Sequence, residues 1–423
     1  MVEVCTEDPM HPDQEPRAPA SPSRGRRGRQ GRRDLLTVVK VGGSLLQGIA
    51  DLRRIVSALA ERRNDGGSLL VVASALRGVT DLLELAAAQA LDRRSNGHLG
   101  ETLATLRRRH LEVAREVAAD GSVLHHVQGA LDEAEELIGQ IGASGELSDA
   151  TYARLLSYGE RLSVVLLAAA LQAAGTEARP VTAEDADLRA AGPPRAGSCD
   201  LPASAAGLRR VQQDLPGRVL VLTGFYGLDR DGGVVLFGRG GTDDTACAVA
   251  AGLEADRLEL WKDVPGLMSA DPHEVPGARV IQEISFDEVA QLGAYGSRIV
   301  HHGCLEPLRG RPTQVFLSSV PASGSPSGTR LVEKLTRGTT RVVALASRRS
   351  PSLIGVVGEG VAGDPGIRSR MLSCLAAAGA RGDLVVQPSG RSGLSCSVHP
   401  DDLIPALSDL HASFFPSAER AQP

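Results

Sequence analysis

Aromatic residues are scarce in this chain, at 3% of 423 positions. A core for a chain of this length must then be built from Ala, Val and Leu, with area burial rather than ring contacts supplying the driving force. Lysine is nearly absent: Lys40, Lys262 and Lys334 are the whole set, and every other Lys/Arg position is arginine. In such a chain an Arg in a lysine's place says little, whereas each surviving lysine draws attention. No uninterrupted apolar run reaches the ~18 residues of a membrane span. The six cysteines (Cys5, Cys199, Cys247, Cys304, Cys374 and Cys396) show no CxxC spacing. That scatter fits reduced thiols in a cytosolic protein better than disulfides or a zinc site. A formal net charge of −5 argues against nucleic acid as the main partner.

What is present is an ordinary globular composition, 42% hydrophobic, over a length that suggests two or three domains. Residues 1–34 are rich in Pro, Arg and acids and carry no apolar periodicity, so they read as a disordered tail. The basic run at 24–33 is followed by no apolar segment of the kind a secretion signal requires. Order is expected from Leu35-Leu36-Thr37-Val38-Val39-Lys40-Val41, a continuous apolar run of the kind that forms a buried parallel strand. A helix over 50–63 and a second buried strand over 69–73 complete a β-α-β rhythm, the mark of an open α/β sheet covered by helices. A helical pattern fills 100–174. Strands are expected at 218–223, 233–237 and 258–261, with an Ala-rich helix near 245–255. A Pro/Ser/Gly loop covers 321–328. Beyond 339 a small separate α/β module appears, with strands at 342–346, 353–357, 384–387 and 393–398 and helices at 366–378 and 401–411.

Four stretches could carry chemistry. Lys40-Val41-Gly42-Gly43-Ser44 ends the first strand. Its glycines would let backbone N–H groups approach a phosphate, and its lysine would stand at the sheet's carboxyl edge, where open α/β sheets bind ligands. It is not a P-loop, and alone it reads equally well as a turn. Phe237-Gly238-Arg239-Gly240-Gly241-Thr242-Asp243-Asp244 is a second glycine-rich loop before a helix. Its arginine suits a carboxylate and its acids could orient a lysine or Mg²⁺. Ser157-Tyr158-Gly159-Glu160-Arg161-Leu162-Ser163 interrupts a helical region with a glycine and a carboxylate, and by itself reads as a surface turn. Lys262-Asp263-Val264-Pro265-Gly266, continuing to Asp271-Pro272, reads as a long loop after a strand.

In this order, the set resembles aspartokinase, within the amino-acid kinase superfamily. Further stretches that carry the resemblance are Ser74-Ala75 through Val79-Thr80, Thr223-Gly224-Phe225-Tyr226-Gly227, and Glu283-Ile284-Ser285-Phe286-Asp287-Glu288. The resemblance implies a three-layer αβα sandwich with a mainly parallel central sheet over 35–318. Residues 35–225 would form an amino-acid lobe and 226–318 a nucleotide lobe. A linker would follow at 319–338, then a small ferredoxin-like α+β module resembling an ACT domain at 339–415, and a tail at 416–423. Lys40 with Gly42, Gly43 and Ser44 would hold the transferring phosphate, joined by Arg298. Ser74 and Thr80 would lie by the substrate, Glu160 would pair with its ammonium, and Arg239 with a carboxylate. Asp243 would orient Lys40 and help place the metal. Lys262, Asp263, Met268, His273 and Arg298 would border the nucleotide.

Departures from the family cluster on the nucleotide side. Lys262 stands where Thr or Ser is usual, Met268 for an aromatic, His273 for an Arg and Arg298 for a Lys, which implies altered nucleotide affinity or preference. Asp244 has no assigned role. Aspartokinases normally carry two ACT modules, and the length after Leu331 fits one. The stretch Gln387-Pro388-Ser389-Gly390-Arg391-Ser392 lacks the family's acidic pattern, which argues against feedback by lysine or threonine. The implied function is transfer of the γ-phosphoryl of ATP to the β-carboxylate of L-aspartate, giving 4-phospho-L-aspartate, the first step toward lysine, threonine and methionine. Mg²⁺ would accompany ATP. The setting would be cytoplasmic and the assembly a homodimer or higher homo-oligomer, because an unpaired ACT sheet exposes an edge strand. Two alternatives stay open: a diverged kinase acting on another amino or hydroxy acid, and a non-catalytic amino-acid sensor.

Overall fold

The first apolar run forms strand β1 (Leu36–Val41), whose side chains are buried on both faces apart from the half-buried Thr37. Helix α1 (Ile49–Asn64) returns the chain to β2 (Ser68–Ala73), which pairs with β1 in parallel. In the computed structural model the described residues are 35–64, 66–92, 96–117, 121–297, 299–301, 303–321, 328–335, 341–381, 387–388 and 392–416. Four helices follow: α2 (Val79–Leu91), α3 (Asn96–Val117), α4 (Gly121–Ser144) and α5 (Asp149–Ala173). Then come β3 (Ala178–Val181), the short pair β4 (Ala190–Ala191) and β5 (Ser198–Cys199), α6 (Leu201–Asp214) and β6 (Val219–Thr223). The hairpin β7 (Tyr226–Leu228) and β8 (Val234–Leu236) leads to α7 (Gly241–Gly252) and β9 (Arg257–Trp261). The kinase-like part closes with β10 (Glu283–Ser285), α8 (Phe286–Ala294), β11 (Gln314–Ser318) and β12 (Thr329–Val332).

Eight of these strands make one sheet in the order β10-β12-β11-β9-β1-β2-β6-β3. All neighbours run parallel except β11 and β12. The connections run to opposite sides of β1, which makes β1 the switch point where such sheets open a crevice at their carboxyl ends. Helices α1 and α5 pack on one face, and α6 and α7 on the other, giving the three layers expected. The core is built mainly from Ala, Val, Leu and Ile, with Trp261 and Tyr226 its largest fully buried side chains.

Two sequence readings need correction. Ser157–Ser163 is not a surface turn but the middle of α5, and every residue of it except Arg161 is buried. Gly159 reads as a breaker because helical glycine is unfavourable, yet it is there for space: a Cβ on it would meet Ala75 Cβ at 2.8 Å and Val79 Cγ1 at 3.4 Å. Helix α5 is also long and apolar enough by composition to cross a membrane, but 83% of its apolar window is buried inside the fold, as in a core helix. The second correction is α7, which starts at Gly241, not near 245. Gly240 adopts a left-handed backbone at φ 80°, so the last glycines of the loop form the helix start, and Thr242, Asp243 and Asp244 belong to its first turn.

The C-terminal module comprises β13 (Ala344–Arg349), β14 (Ser352–Val357), α9 (Pro365–Ala377), β15 (Gln387–Pro388), β16 (Gly393–Ser397) and α10 (Leu403–Phe414). Its antiparallel sheet runs β13-β14-β16-β15. The chain order ββαββα is a permuted ferredoxin-like order, with β13 entering first to fill the place of a closing strand. One sheet face, with Leu345, Ile354 and Val356, joins the core under α9 and α10. The other face, with Ala344, Ala346 and Val357, joins the core of the main domain. Most of the loop at 321–328 and of the strand expected at 384–387 lies outside the described residues.

The Gly159 contact is testable. Gly159→Val should lower the unfolding free energy by about 1–3 kcal/mol through overpacking against α2. Urea denaturation followed by circular dichroism reads it, and an unchanged midpoint would mean that α5 and α2 do not meet there.

Candidate active site at the carboxyl edge of the sheet

Strands β1, β2, β6 and β9 end together: Val41 is level with Ala73 and Trp261, and Ala73 with Thr223. The four segments that leave these ends therefore converge. They begin at Gly42, Ser74, Gly224 and Lys262, and the first turn of α7 joins them. Between them opens a cavity of about 1160 Å³. Its walls are glycine-dependent. A Cβ on Gly42 would stand 3.1 Å from Lys40 Nζ, one on Gly43 would stand 2.9 Å from Ala75 O, and one on Gly224 would stand 2.4 Å from Thr242 Cγ2.

At the inner end, Asp243 sits between two of the chain's three lysines. Lys40 Nζ lies 2.9 Å from Asp243 Oδ1, an ion pair off the hydrogen-bonding direction. Lys262 Nζ donates to Asp243 Oδ2 at 2.5 Å. Burial lowers the Lys40 ammonium below the usual lysine range, and the charge of Lys262 lowers it further, against the pull of Asp243. Burial alone would raise the Asp243 carboxyl, but the two ammoniums outweigh it and hold the group below its ordinary value. Asp244 lies instead by the His301 imidazole, its Oδ1 4.0 Å from Nδ1. Burial and the adjacent Asp243 charge push it up to about 7.

Helix α5 supplies the opposite wall with Tyr152, Leu156 and Glu160 at four-residue spacing, which places them on one helix face. Glu160 is buried. Its Oε1 accepts from the Ala75 N–H at 3.1 Å, while Oε2 has no hydrogen-bond partner among the described residues. Burial pushes this carboxyl up to about 8, against the Ala75 bond. Ser74 Oγ donates to Thr242 Oγ1 at 2.9 Å, and Thr80 lines the same wall from the first turn of α2. Arg239 reaches the cavity from the loop before α7 and is solvent-exposed.

The structure thus gathers Lys40, Gly43, Ser44, Ser74, Thr80, Glu160, Arg239, Asp243 and Lys262 around one cavity, with Gly42 against Lys40. Asp263, Met268 and His273 are not in its lining. Met268 bridges to Val280, and the His273 imidazole points to solvent, 3.1 Å from Asp271 Oδ1. Arg298 lies outside the described residues. Residue-by-residue reading missed Thr242, which orders Ser74, and Phe225. Phe225 lines the cavity with φ 71° and donates its N–H to Thr245 Oγ1 at 3.0 Å. The signal for Phe225 was its place directly after Gly224, within Gly224-Phe225-Tyr226-Gly227.

Among the described residues no three His, Cys, Asp or Glu side chains converge to hold a metal, and both oxygens of Asp243 face ammonium groups. The described side chains therefore form no cage for a divalent cation.

Comparison with known proteins agrees with this geometry. The family model "Amino acid kinase family" matches residues 36–317, and an ACT domain model matches 354–414. The aspartokinase of Mycolicibacterium smegmatis is 27% identical over 83% of this chain and 70% of its own length. Aspartokinase 2 of Bacillus subtilis is 29% identical over 59% of this chain and 60% of its own, and the aspartokinase of Corynebacterium glutamicum is 32% identical over 55% of each. The chain thus spans between about half and 70% of the length of these relatives. Among solved structures, E. coli aspartokinase III in complex with aspartate and ADP superposes with a TM-score of 0.78 at 20% identity, over 90% of this chain and 100% of that one. Aspartate kinase of Clostridium acetobutylicum gives 0.69 at 19%, over 89% and 100%. The fold, the converging strand ends and the matched span lead to one conclusion: this chain belongs to the amino acid kinase family, with an ACT domain following its kinase fold.

Proposed function

We propose that the protein is an aspartate kinase, transferring the γ-phosphoryl group of ATP to the β-carboxylate of L-aspartate. The observation that carries this reading is the pairing of a buried, half-satisfied Glu160 with the phosphate-type cradle of Lys40, Gly42, Gly43 and Ser44 across one cavity. Aspartokinase relatives support the substrate. In this reading residues 35–225 form the amino-acid lobe and 226–318 the nucleotide lobe. Strand β12 (Thr329–Val332) belongs to the central sheet, so in this reading 319–338 is a connection that adds a strand to the kinase fold before the ACT module at 339–415. A homo-oligomeric assembly and a cytoplasmic setting belong to the same proposal.

Phosphoryl transfer depends on positioning and charge neutralisation more than on a strong base. Glu160, ionised on binding, would hold the substrate ammonium, and Arg239 would hold its α-carboxylate. The β-carboxylate is already an anion at neutral pH, so no proton has to leave it. One of its oxygens forms a bond to the γ-phosphorus as the bond to the β–γ bridging oxygen breaks, and ADP departs with that electron pair. Lys40 would follow the charge on the moving group, kept in place by Asp243. Mg²⁺ would neutralise nucleotide charge when bound, carried on the phosphates themselves rather than by protein ligands.

ADP release measured together with hydroxylamine trapping of the acyl phosphate tests the whole reading. Aspartate should give a hydroxamate; product only with another acid would overturn the substrate, and none with any acid would overturn the kinase. Arg239→Ala should raise the KM for aspartate about tenfold or more, the loss of a charged hydrogen bond, and leave the KM for ATP within about twofold. The reverse pattern would move Arg239 to the nucleotide side. Glu160 gives a pH test. With its carboxyl pushed up to about 8, the free protein holds a proton there at pH 7. An arriving ammonium favours the anion, so aspartate binding should release about one proton near pH 6.5–7, fading above pH 8. Calorimetry in buffers of different ionisation enthalpy reads this release, and Glu160→Gln should abolish it.

A further inference from the structure

Two of only three lysines in the chain meet on one buried carboxylate. They arrive from neighbouring strands, Lys40 within β1 and Lys262 directly after β9. Lys40 alone would neutralise Asp243. Adding Lys262 leaves the triad with a net positive charge inside a largely desolvated pocket, where an unbalanced ion is costly. Burial, with a further contribution from the charge of Lys262, lowers the Lys40 ammonium against the pull of Asp243. Lys262 keeps 15% of its side chain accessible and forms part of the cavity wall beside Lys40, Gly43 and Ser44. Its backbone N–H is fixed to Ser318 O at 2.8 Å, so the ammonium is aimed inward by β9 and β11 rather than hanging on a free loop. A cluster of this charge and placement is short of an anion with several negative oxygens.

We propose that Lys262 is a second phosphate-binding lysine, gripping the β- and γ-phosphates of the nucleotide together with Lys40, while Asp243 spaces the two ammoniums. This rests on the kinase reading above. The neighbourhood of Lys262 is thereby assigned to phosphate rather than to adenine or ribose.

The test is binding of ATP, ADP and AMP by titration calorimetry to the full chain and to Lys262→Met and Lys262→Arg, with a thermal melt to verify folding. Lys262→Met should weaken ATP and ADP tenfold or more, as loss of a charge-assisted contact does, leave AMP within about twofold, and leave the KM for aspartate within about twofold. Lys262→Arg should recover part of the loss. Unchanged or tighter ATP binding by Lys262→Met would overturn the proposal and leave the lysine as a counter-charge for Asp243. An equal loss for AMP would overturn it in favour of a base or sugar contact. The kinase reading fails separately, if the wild-type chain binds no adenine nucleotide or yields no hydroxamate.

Discussion

The carboxylate of Asp243 is the constraint around which the catalytic half of the fold is arranged. Three charged groups share a space that excludes most water, and such a cluster persists only if each partner is held in position. The sheet does this for the lysines, because β1 and β9 are adjacent and in register at their carboxyl ends. Helix α7 does it for the acid, because its left-handed Gly240 start sets Asp243 in the first turn, where a negative charge also complements the helix dipole. The glycines follow from the same demand. Gly42 leaves room for the Lys40 ammonium at a distance where a methyl group would already press on it.

That crowding also explains why lysine survives here in a chain that otherwise uses arginine. A guanidinium is planar and broad and prefers to meet a carboxylate with two parallel bonds, whereas an ammonium is a compact point charge. Two guanidiniums could not share the opposite oxygens of one carboxylate beside Gly42 without moving a strand end. A pair of compact ammoniums therefore suits these two positions better than a pair of guanidiniums would. Arg381, by contrast, faces both Asp401 and Asp402 at an exposed site, where a planar guanidinium has room.

The extent to which the sequence could be read follows the same physics. The buried parallel strands were legible because a strand covered on both faces is continuously apolar, and β1, β2 and β9 differ from expectation by a residue or none at each end. The middle of α5 was not legible. Ser157, Gly159, Glu160 and Ser163 are polar or small and look like a turn, yet all are buried, Gly159 against α2 and Glu160 in the cavity wall. A rule that sends polar residues outward fails where a site needs them inside. The start of α7 was misread for a related reason, since glycines that usually end a pattern here begin one. Lys40, Glu160, Arg239 and Asp243 were identified by motif, but the bond between Lys262 and Asp243 spans 19 residues and depends on strand order. No local pattern reveals it. Met268 and His273, which the resemblance sets beside the nucleotide, are not among the residues that line the cavity.

The ACT module shows how one such unit can be stabilised alone. A four-stranded sheet covered by helices on one face leaves an apolar face bare. Here α8 covers it, with Tyr295 set into a slot made by two glycines: a Cβ on Gly355 would fall 2.0 Å from the Tyr295 ring, and one on Gly393 would fall 2.5 Å from its hydroxyl. Glu288 completes the joint. Its Oε2 accepts from Ser285 in a capping box, and its Oε1 accepts from the Glu359 N–H at 2.9 Å. The edge strand β13 is also engaged, since the Leu345 N–H donates to Ser269 O at 2.7 Å, and Ser269 Oγ lies 2.8 Å from His411 Nε2 of α10. A second module could not use the covered face without expelling Tyr295. The argument that an ACT sheet must find a partner for its exposed edge is therefore confined, among the described residues, to the two-residue β15 side. Contact within the chain thus covers a sheet face that a partner module would otherwise have to cover.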